Sequence, residues 1–540
     1  MRPSAHAVTS QFMTRAELLQ SLAGPAVFDL VVVGGGATGL GVALDAALRG
    51  FSVALLESQD FAGGTSSRST KLLHGGVRYL AQGNVALVRE ALAERATVLR
   101  IAPHLAQPLP FVMPSYSWWQ TPFYGAGLKL YDLMAGRAGL GRTAFLSKTE
   151  TLAALPGVNP HGLQGGVRYW DGQFDDARLA LALALTAEAA GARVINYAQV
   201  TGIQRQPDAS PALTELEVSD VLNGGLHRVR ARCVVNATGV WVDDLRAKAR
   251  RVGQDPLPER MVSPSQGVHV VVDREFMPGD HALLVPKTRD GRVLFAVPWM
   301  GKLILGTTDT PRQDLPREPQ AFAEEQNFIL GEAGRVLSRP VRTDDIRSIW
   351  VGLRPLVAPP SSAEGGTKVL SREHTIVVDG NGLVTVTGGK WTTYRAMAED
   401  VLARCFASGL LPARSGGLSE RHALVGAPDA SNDATPLYQA PGPHIYGTQA
   451  RQVARCPGGA RELGLGLTEA MVRYAVRCEH AHTLEDVLAR RWRALFLDAR
   501  QAAAMAPVVA EILEDEGVSE PGLSRFEALC THYLPAATNL

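Results

Sequence analysis

The stretch Asp29-Leu-Val-Val-Val-Gly-Gly-Gly-Ala-Thr-Gly39, followed by a second apolar run that ends at Glu57, decides the fold. Leu30 to Val33 are continuously apolar and mostly β-branched, the composition of a strand buried on both faces of a parallel sheet. Gly34, Gly36 and Gly39 then form G-x-G-x-x-G where that strand turns into a helix. The first glycine allows the tight turn, the second lets the backbone approach a pyrophosphate, and the third lets helix and strand pack closely. The helix N-terminus presents unpaired N–H groups and a partial positive charge to phosphate. The predicted helix runs from Leu40 to Arg49, Gly50 closes it, and Phe51-Ser-Val-Ala-Leu-Leu56 is the next strand. Glu57, 23 residues after Gly34, stands where a carboxylate accepts hydrogen bonds from ribose hydroxyls. Strand, glycines, helix, strand and acid in this order specify dinucleotide binding rather than an idle turn.

At 540 residues the chain exceeds what one core supports, and it predicts two or three domains. Hydrophobic residues at 46% and charged residues at 20% place it among ordinary globular proteins. A formal net charge of +1 argues against nucleic-acid binding driven by a basic field. The five cysteines are scattered, odd in number and without C-x-x-C spacing, so neither a disulfide framework nor a metal site is indicated. A reducing cytosol suits them. No apolar run reaches the roughly 18 residues a bilayer span needs. Residues 1–27 carry Arg2, Arg15 and Glu17 without a long apolar stretch, and read as an extension with one short helix over 14–22.

Beyond the first unit, helical patterning returns at Val85 to Ile101 and at Asp176 to Gly191, the second feeding a parallel strand Arg193-Val-Ile-Asn196. Leu213 to Val218 and Leu226 to Ala231 predict an antiparallel hairpin about Asn223-Gly224-Gly225, and Cys233-Val-Val-Asn-Ala-Thr-Gly239 a further buried strand. Short β runs between Gly267 and Gly306 predict an antiparallel sheet inserted into the nucleotide domain to cover a substrate. The chain returns through Leu383-Val-Thr-Val-Thr-Gly388-Gly389 to a helix over 393–407. The expected organisation is an N-terminal extension (1–27), a nucleotide domain (28–411) with inserts at about 108–165 and 262–345, a Pro, Ser and Gly-rich linker (412–443), and a helical domain (444–540).

Several clusters carry chemistry. Gly63-Gly-Thr-Ser-Ser-Arg-Ser-Thr-Lys-Leu-Leu-His-Gly-Gly-Val-Arg-Tyr79 concentrates hydroxyls, glycines and cations just after the ribose-binding acid. A loop beside a pyrophosphate and a flavin needs such donors and such close backbone approach. Thr65, Ser66, Ser67, Lys71, His74 and Gly75 are therefore candidate cofactor contacts. Asn236-Ala237-Thr238-Gly239 places small residues where a dinucleotide lies close. Gly388-Gly389, with Thr392 following, repeats a glycine-bearing strand end, expected where FAD wraps and unexplained for NAD.

Together with Pro298-Trp299, Gly306-Thr-Thr-Asp309, Gly352-Leu-Arg-Pro355 and Gly388-Gly-Lys-Trp-Thr-Thr-Tyr-Arg395, these motifs resemble the FAD-dependent glycerol-3-phosphate dehydrogenases of the aerobic bacterial type. The likeness covers about residues 28 to 405. Arg473-Tyr, Thr483, Asp486-Val-Leu, Arg490-Arg491 and Asp498 resemble that family's C-terminal domain. The His-Gly-Gly-x-Arg-Tyr and Gly-Gly-Lys-x-Thr-Thr-Tyr-Arg pair is the specific part. The resemblance implies an α/β fold: a glutathione-reductase-like FAD-binding Rossmann domain with an inserted antiparallel β substrate domain and a C-terminal α-helical domain. It further implies oxidation of sn-glycerol 3-phosphate at C2 to dihydroxyacetone phosphate, with hydride passing to FAD and electrons onward to a membrane quinone. A cytoplasmic protein held peripherally at the inner face of the cell membrane is implied with it, and a homodimer is compatible.

A phosphate dianion calls for several charge-assisted donors, which Arg supplies bidentately. Arg78, Arg354 and Lys390, from three separate motifs, are expected to converge on the substrate, and Tyr79 to add a phenol donor. Loss of hydride from C2 needs a base within about 3 Å of the hydroxyl. His269 in Ser265-Gln-Gly-Val-His-Val-Val-Val272 is one candidate, matching a family active-site histidine; Lys390, depressed by neighbouring cations, is the other. Thr307 and Thr308 either contact flavin edges or simply shape a hairpin. Trp118, Trp119, Phe123 and Tyr124, then Leu128 to Met134 with Lys129, form an amphipathic stretch suited to a membrane surface or to a core; the matching part of the family is implicated in membrane association. His480 and His482 near Cys478 lack a complementary ligand pair and read as packing or surface residues. Gly63-Gly64-Thr65 departs from the family's Ala-Thr-Ser-Ser-like loop. No Asp-x-Asp-x-Asp-Gly calcium loop is present, and no long insertion marks the oxygen-using oxidase. The competing readings are that oxidase, an FAD amine or amino-acid oxidase of the same fold, and a non-catalytic flavoprotein.

Overall fold

A computed structural model describes residues 13, 15–22, 26–76, 84–206, 213–250, 259–358, 373–428 and 434–535. Its first sheet runs in the order His374–Val378, Leu383–Gly388, Leu226–Asn236, Val27–Val33, Val53–Leu56, Arg193–Ile195. Every pairing from Leu383–Gly388 onward is parallel. Successive side chains of a strand point to opposite faces, and the opening strand feeds two cores accordingly. Leu30 and Val32 pack with helices Ala37–Leu48, Asp176–Ala189 and Tyr394–Ala407. Val31 and Val33 pack with helix Arg15–Leu22 and a meander on the other face. Leu40 and Leu44 of the first crossover helix are buried, each contributing about 1.5–3 kcal/mol.

The hairpin arm and the buried strand that the pattern separates are one strand, Leu226–Asn236. Its first part pairs antiparallel with Leu213–Asp220, while its later part runs parallel to Val27–Val33. Asn236 thereby ends beside the glycine turn. Val33 and Asn236 are direct partners.

The second sheet has ten strands, drawn from residues 72–174 and 262–357. It is wider than the expected inserts because Leu72–Leu73, the end of Gly165–Phe174, and Ser348–Val357 complete it. Nor is it wholly antiparallel: Ala282–Val285 runs parallel to Ala106–Ser115. Those two strands come from different inserts, so no hairpin dictates their direction. Val262–Asp273 and Ser348–Val357 pair antiparallel with Ser265 opposite Arg354, Gly267 opposite Gly352 and His269 opposite Trp350. The same parity puts His269 and Arg354 on one face, with glycines between them.

Residues 412–428 and 434–443, read from composition as a linker, are strapped to the nucleotide domain. Ser419 Oγ donates to Asp45 at 3.0 Å, Leu424 N to Ile101 O at 2.9 Å, and Leu437 N to Gln107 Oε1 at 3.0 Å. The C-terminal domain is helical, with Glu469–Cys478, Ala499–Asp515 and Leu523–His532 as its longer helices and one small hairpin, Glu462–Gly464 with Leu467–Thr468. Asp60, just past Glu57, is buried against Arg490 and Arg491 of this domain.

Candidate active site

Gly34 turns the chain at φ +114°, and a Cβ there would lie 2.5 Å from Ala237 O. A Cβ at Gly39 would collide with Gly34 O, so this glycine works by close packing. Gly36 is the N-cap of helix Ala37–Leu48 and gives it no side-chain cap; Ala37 N instead donates to Ser66 Oγ at 3.0 Å. Glu57 is fixed by Gly35 N at 2.7 Å on Oε2 and by Gln59 N at 2.8 Å and Ser58 Oγ at 3.1 Å on Oε1, which leaves Oε2 acceptor capacity at the cavity the residue lines.

That cavity, about 410 Å³, runs from Glu57 past Thr65 and Ser66 to His269, Arg354 and Lys390. Gly34, Gly36, His74, Ala237, Thr238, Gly239, Gly388, Gly389 and Thr392 also line it. Gly39, Ser67, Lys71, Gly75 and Thr307 do not line it. Lys71 is fully buried beneath the wall, 2.7 Å from Asp176, with Nζ donating to Ser67 O. Ser67 is turned into the protein, its carbonyl also taken by Arg493 at 2.6 Å. Gly75 packs where a Cβ would strike Leu92 and Tyr131. Thr307 acts one step back, its Oγ1 accepting from Arg354 at 3.3 Å. Arg78 and Tyr79 lie outside the described residues.

At the far end, His269 is buried and stacks on Trp350. Its Nε2 is 2.9 Å from Thr70 Oγ1, and its buried Nδ1 has no partner among the described residues. Burial, then the positive charges of Lys71 and Arg354, hold this imidazole well below the ordinary histidine pKa, so it is neutral. Arg354 is oriented by donating to Thr308 O at 2.9 Å and Gln266 O at 3.3 Å and by Asp309 at 3.2 Å. Gly267 is required beneath it, because a Cβ there would overlap the guanidinium.

Sequence reading missed Thr70, Trp241 and Arg317, all on the cavity wall. The Arg317 guanidinium lies 4.1 Å from the Trp241 ring centroid, and Trp241 Nε1 donates to Leu315 O. Nothing local marks Arg317, which stands on the segment between strand Thr310–Pro311 and helix Ala323–Val336. His480 pairs with Glu188 at 2.9 Å and His482 stacks edge-on to Tyr197, so both are packing residues.

FAD fits what is present. The first-turn helix end at Gly36 faces the cavity without a side-chain cap, and the Glu57 carboxylate, which could accept from ribose hydroxyls, lines it. Gly239, at φ +65°, has open space where a Cβ would project. Thr387, beside the second glycine pair, keeps a buried hydroxyl without a partner among the described residues.

A family model for FAD dependent oxidoreductases matches residues 29–395, and one for the C-terminal domain of alpha-glycerophosphate oxidase matches 443–518. The mitochondrial glycerol-3-phosphate dehydrogenases of Macaca fascicularis and Homo sapiens are each 41% identical over 540 residues, spanning 93% of this chain and 72% of theirs. The chain belongs to the FAD-dependent glycerol-3-phosphate dehydrogenase family. The FAD-complexed glycerol-3-phosphate dehydrogenase of Bacillus halodurans superposes with a TM-score of 0.74 at 28% identity, covering 97% of this chain and 99% of that one. The cofactor is FAD.

Proposed function

We propose that the protein oxidises sn-glycerol 3-phosphate at C2 to dihydroxyacetone phosphate, with a membrane quinone as final acceptor. The observation that carries this is the shared face of the paired strands. It sets a neutral imidazole and an anchored guanidinium on one wall of the FAD cavity, separated by glycines. When bound, FAD supplies the acceptor for the hydride that leaves C2 with both electrons of the C–H bond. His269 takes the proton from the C2 hydroxyl as the carbonyl forms, which a neutral ring in this position can do. Arg354 binds the phosphate, with Lys390 and Arg78 completing the cationic set and Tyr79 donating to a substrate oxygen. Substrate cover from the second sheet keeps water from the reacting carbon. Anaerobic stopped-flow mixing with glycerol 3-phosphate is expected to bleach the flavin in one turnover. A protein that holds FAD and stays oxidised with this substrate would refute the reading.

For the acceptor, the support is the surface around helix Gln120–Ala135. Trp118 is 83% exposed, Phe123 67% and Leu133 77%, large apolar side chains that face solvent on and just before one helix. We assign this surface to peripheral docking on the membrane from which quinone is drawn. Among the described residues no helix is long and apolar enough to cross a bilayer. Trp118→Ser/Phe123→Ser is expected to abolish co-sedimentation with anionic vesicles while dye-linked activity persists. Unchanged sedimentation would remove this surface from the proposal.

A further inference from the structure

Behind His269 the wall of the site is built by the C-terminal domain. The imidazole and Trp350 rings lie 5.2 Å apart and 18° from parallel, and Trp350 meets Phe496 at 5.2 Å. Phe496 stands on the short helix Ala494–Leu497, whose Leu495 O accepts from Ser348 Oγ at 2.8 Å. Backbone bonds from Ile349 N to Tyr533 O and from Ala499 N to Arg347 O bind the same strand to the helical domain. Lys71 Nζ sits in a cage of Trp299, Trp350 and Phe496, 5.2–5.4 Å from each ring centroid. Arg493 closes the far side, 3.9 Å from the Phe496 ring centroid and 3.3 Å from Asp176. All five of these aromatic and cationic side chains are at most 2% exposed.

We propose that Phe496 is a positioning residue for the oxidation: through the Phe496–Trp350–His269 stack the helical domain sets the orientation in which the imidazole meets the substrate hydroxyl. The proposal rests on His269 being the base. Thr70 restrains rotation of the imidazole in its own plane through the bond to Nε2. Tilt is restrained by Gly306, packed at the ring, and by the Trp350 ring stacked on it, and Trp350 keeps its plane because Phe496 packs against it. A base must stay within hydrogen-bond reach of the proton it removes, so a tilt that moves the ring nitrogen by about 1 Å is enough to lower the rate.

The charged groups that face His269 are Lys71, from the loop before Leu72–Leu73, and Arg354, from Ser348–Val357. Strand Lys302–Gly306 brings Gly306 against the ring, while Asp176 and Arg493 stand behind Lys71 and Asp309 behind Arg354. Shrinking Phe496 lets water toward the imidazole and relieves the burial that is the largest cause of its low proton affinity; the same water favours the charged form of Lys71, which opposes the rise as the smaller cause.

The experiment uses the full-length FAD-loaded enzyme. Phe496→Leu is expected to lower kcat about ten-fold with KM for glycerol 3-phosphate nearly unchanged, and to move the acid limb of kcat to higher pH. FAD content is expected to match wild type. Val509→Ala, a cavity elsewhere in the same domain's core, is expected to leave kcat and the limb alone. If Phe496→Leu does not fold, Trp350→Phe carries the comparison, because it reduces the surface stacked on His269. Wild-type kcat and limb in the variant measured overturn the proposal, and so does an equal change in Val509→Ala. An unchanged rate in His269→Gln instead removes the base assignment on which it rests.

Discussion

His269→Gln is expected to lower kcat by about 10²–10⁴-fold, the range a positioned general base contributes. Glutamine can keep a hydrogen bond to Thr70 but cannot take a proton, so the loss is in chemistry. KM should change little, because the phosphate is assigned to Arg354, Lys390 and Arg78, and flavin content should match wild type. The pH profile supplies an independent check. Burial, Lys71 and Arg354 all disfavour the imidazolium, so the folded-state pKa lies well below 6.5. The base form therefore persists as pH falls through neutrality, and activity declines only when pH drops through that depressed value. A bound phosphate dianion offsets the charge of Arg354 and raises the pKa somewhat, yet burial, the largest cause, remains. The acid limb of kcat is expected below pH 6.5. It should be measured at saturating substrate, since a phosphate monoester itself titrates near pH ~6 and would enter KM. A wild-type limb at or above 6.5, or a His269→Gln enzyme with normal kcat, would transfer the base role, with Lys390 next in line.

How much of this was legible in the sequence follows from what each motif requires locally. The strand and the three glycines answer to one turn and one helix end, all within thirty residues, and they occupy those places, with Glu57 on the cavity wall beside them. The Gly63–Tyr79 loop was harder. Its composition showed that it belonged at the cofactor but not which side chains faced it. Thr65, Ser66 and His74 reach the cavity, while Ser67 and Lys71 turn inward to the helical domain. Alternation within the loop cannot reveal this, because the partners that pull Lys71 inward, Asp176 and the cage of Trp299, Trp350 and Phe496, come from residues more than a hundred positions away.

The second sheet teaches the same point. Gly352-Leu-Arg-Pro355 reads as a motif with a glycine and a proline, poor strand residues by propensity. It is nevertheless a strand, because its partner Val262–Asp273 pairs with it along ten residues and Gly352 gives the close approach to Arg68 O that a Cβ would block. That pairing, invisible to local periodicity, is what carries Arg354 to the face of His269. The linker fared similarly: proline and glycine report a chain without regular structure, and say nothing of whether it is tied down. Here buried Ser419 and Leu424 and their hydrogen bonds hold it against the nucleotide domain.

Arg354→Ala is expected to lower kcat/KM for glycerol 3-phosphate by about 10–10²-fold, mostly through KM, since a charge-assisted hydrogen bond contributes about 1.5–3 kcal/mol and both terminal nitrogens of this guanidinium already donate within the protein. Its orientation is already set by Thr308 O, Gln266 O and Asp309, so little ordering remains to be done when a phosphate arrives. Arg354→Lys should recover only part of the loss: the charge remains, but the planar fork and its grip on Thr308 O and Gln266 O do not. Unphosphorylated glycerol separates a phosphate role from a general one. It has no anion to lose, so its already low kcat/KM should be nearly the same in wild type and Arg354→Ala. A parallel collapse with both substrates would place Arg354 in the architecture of the wall, where its packing on Gly267 also puts it, rather than on the phosphate. Retained FAD in the variant is the necessary control, because the same cavity holds both molecules.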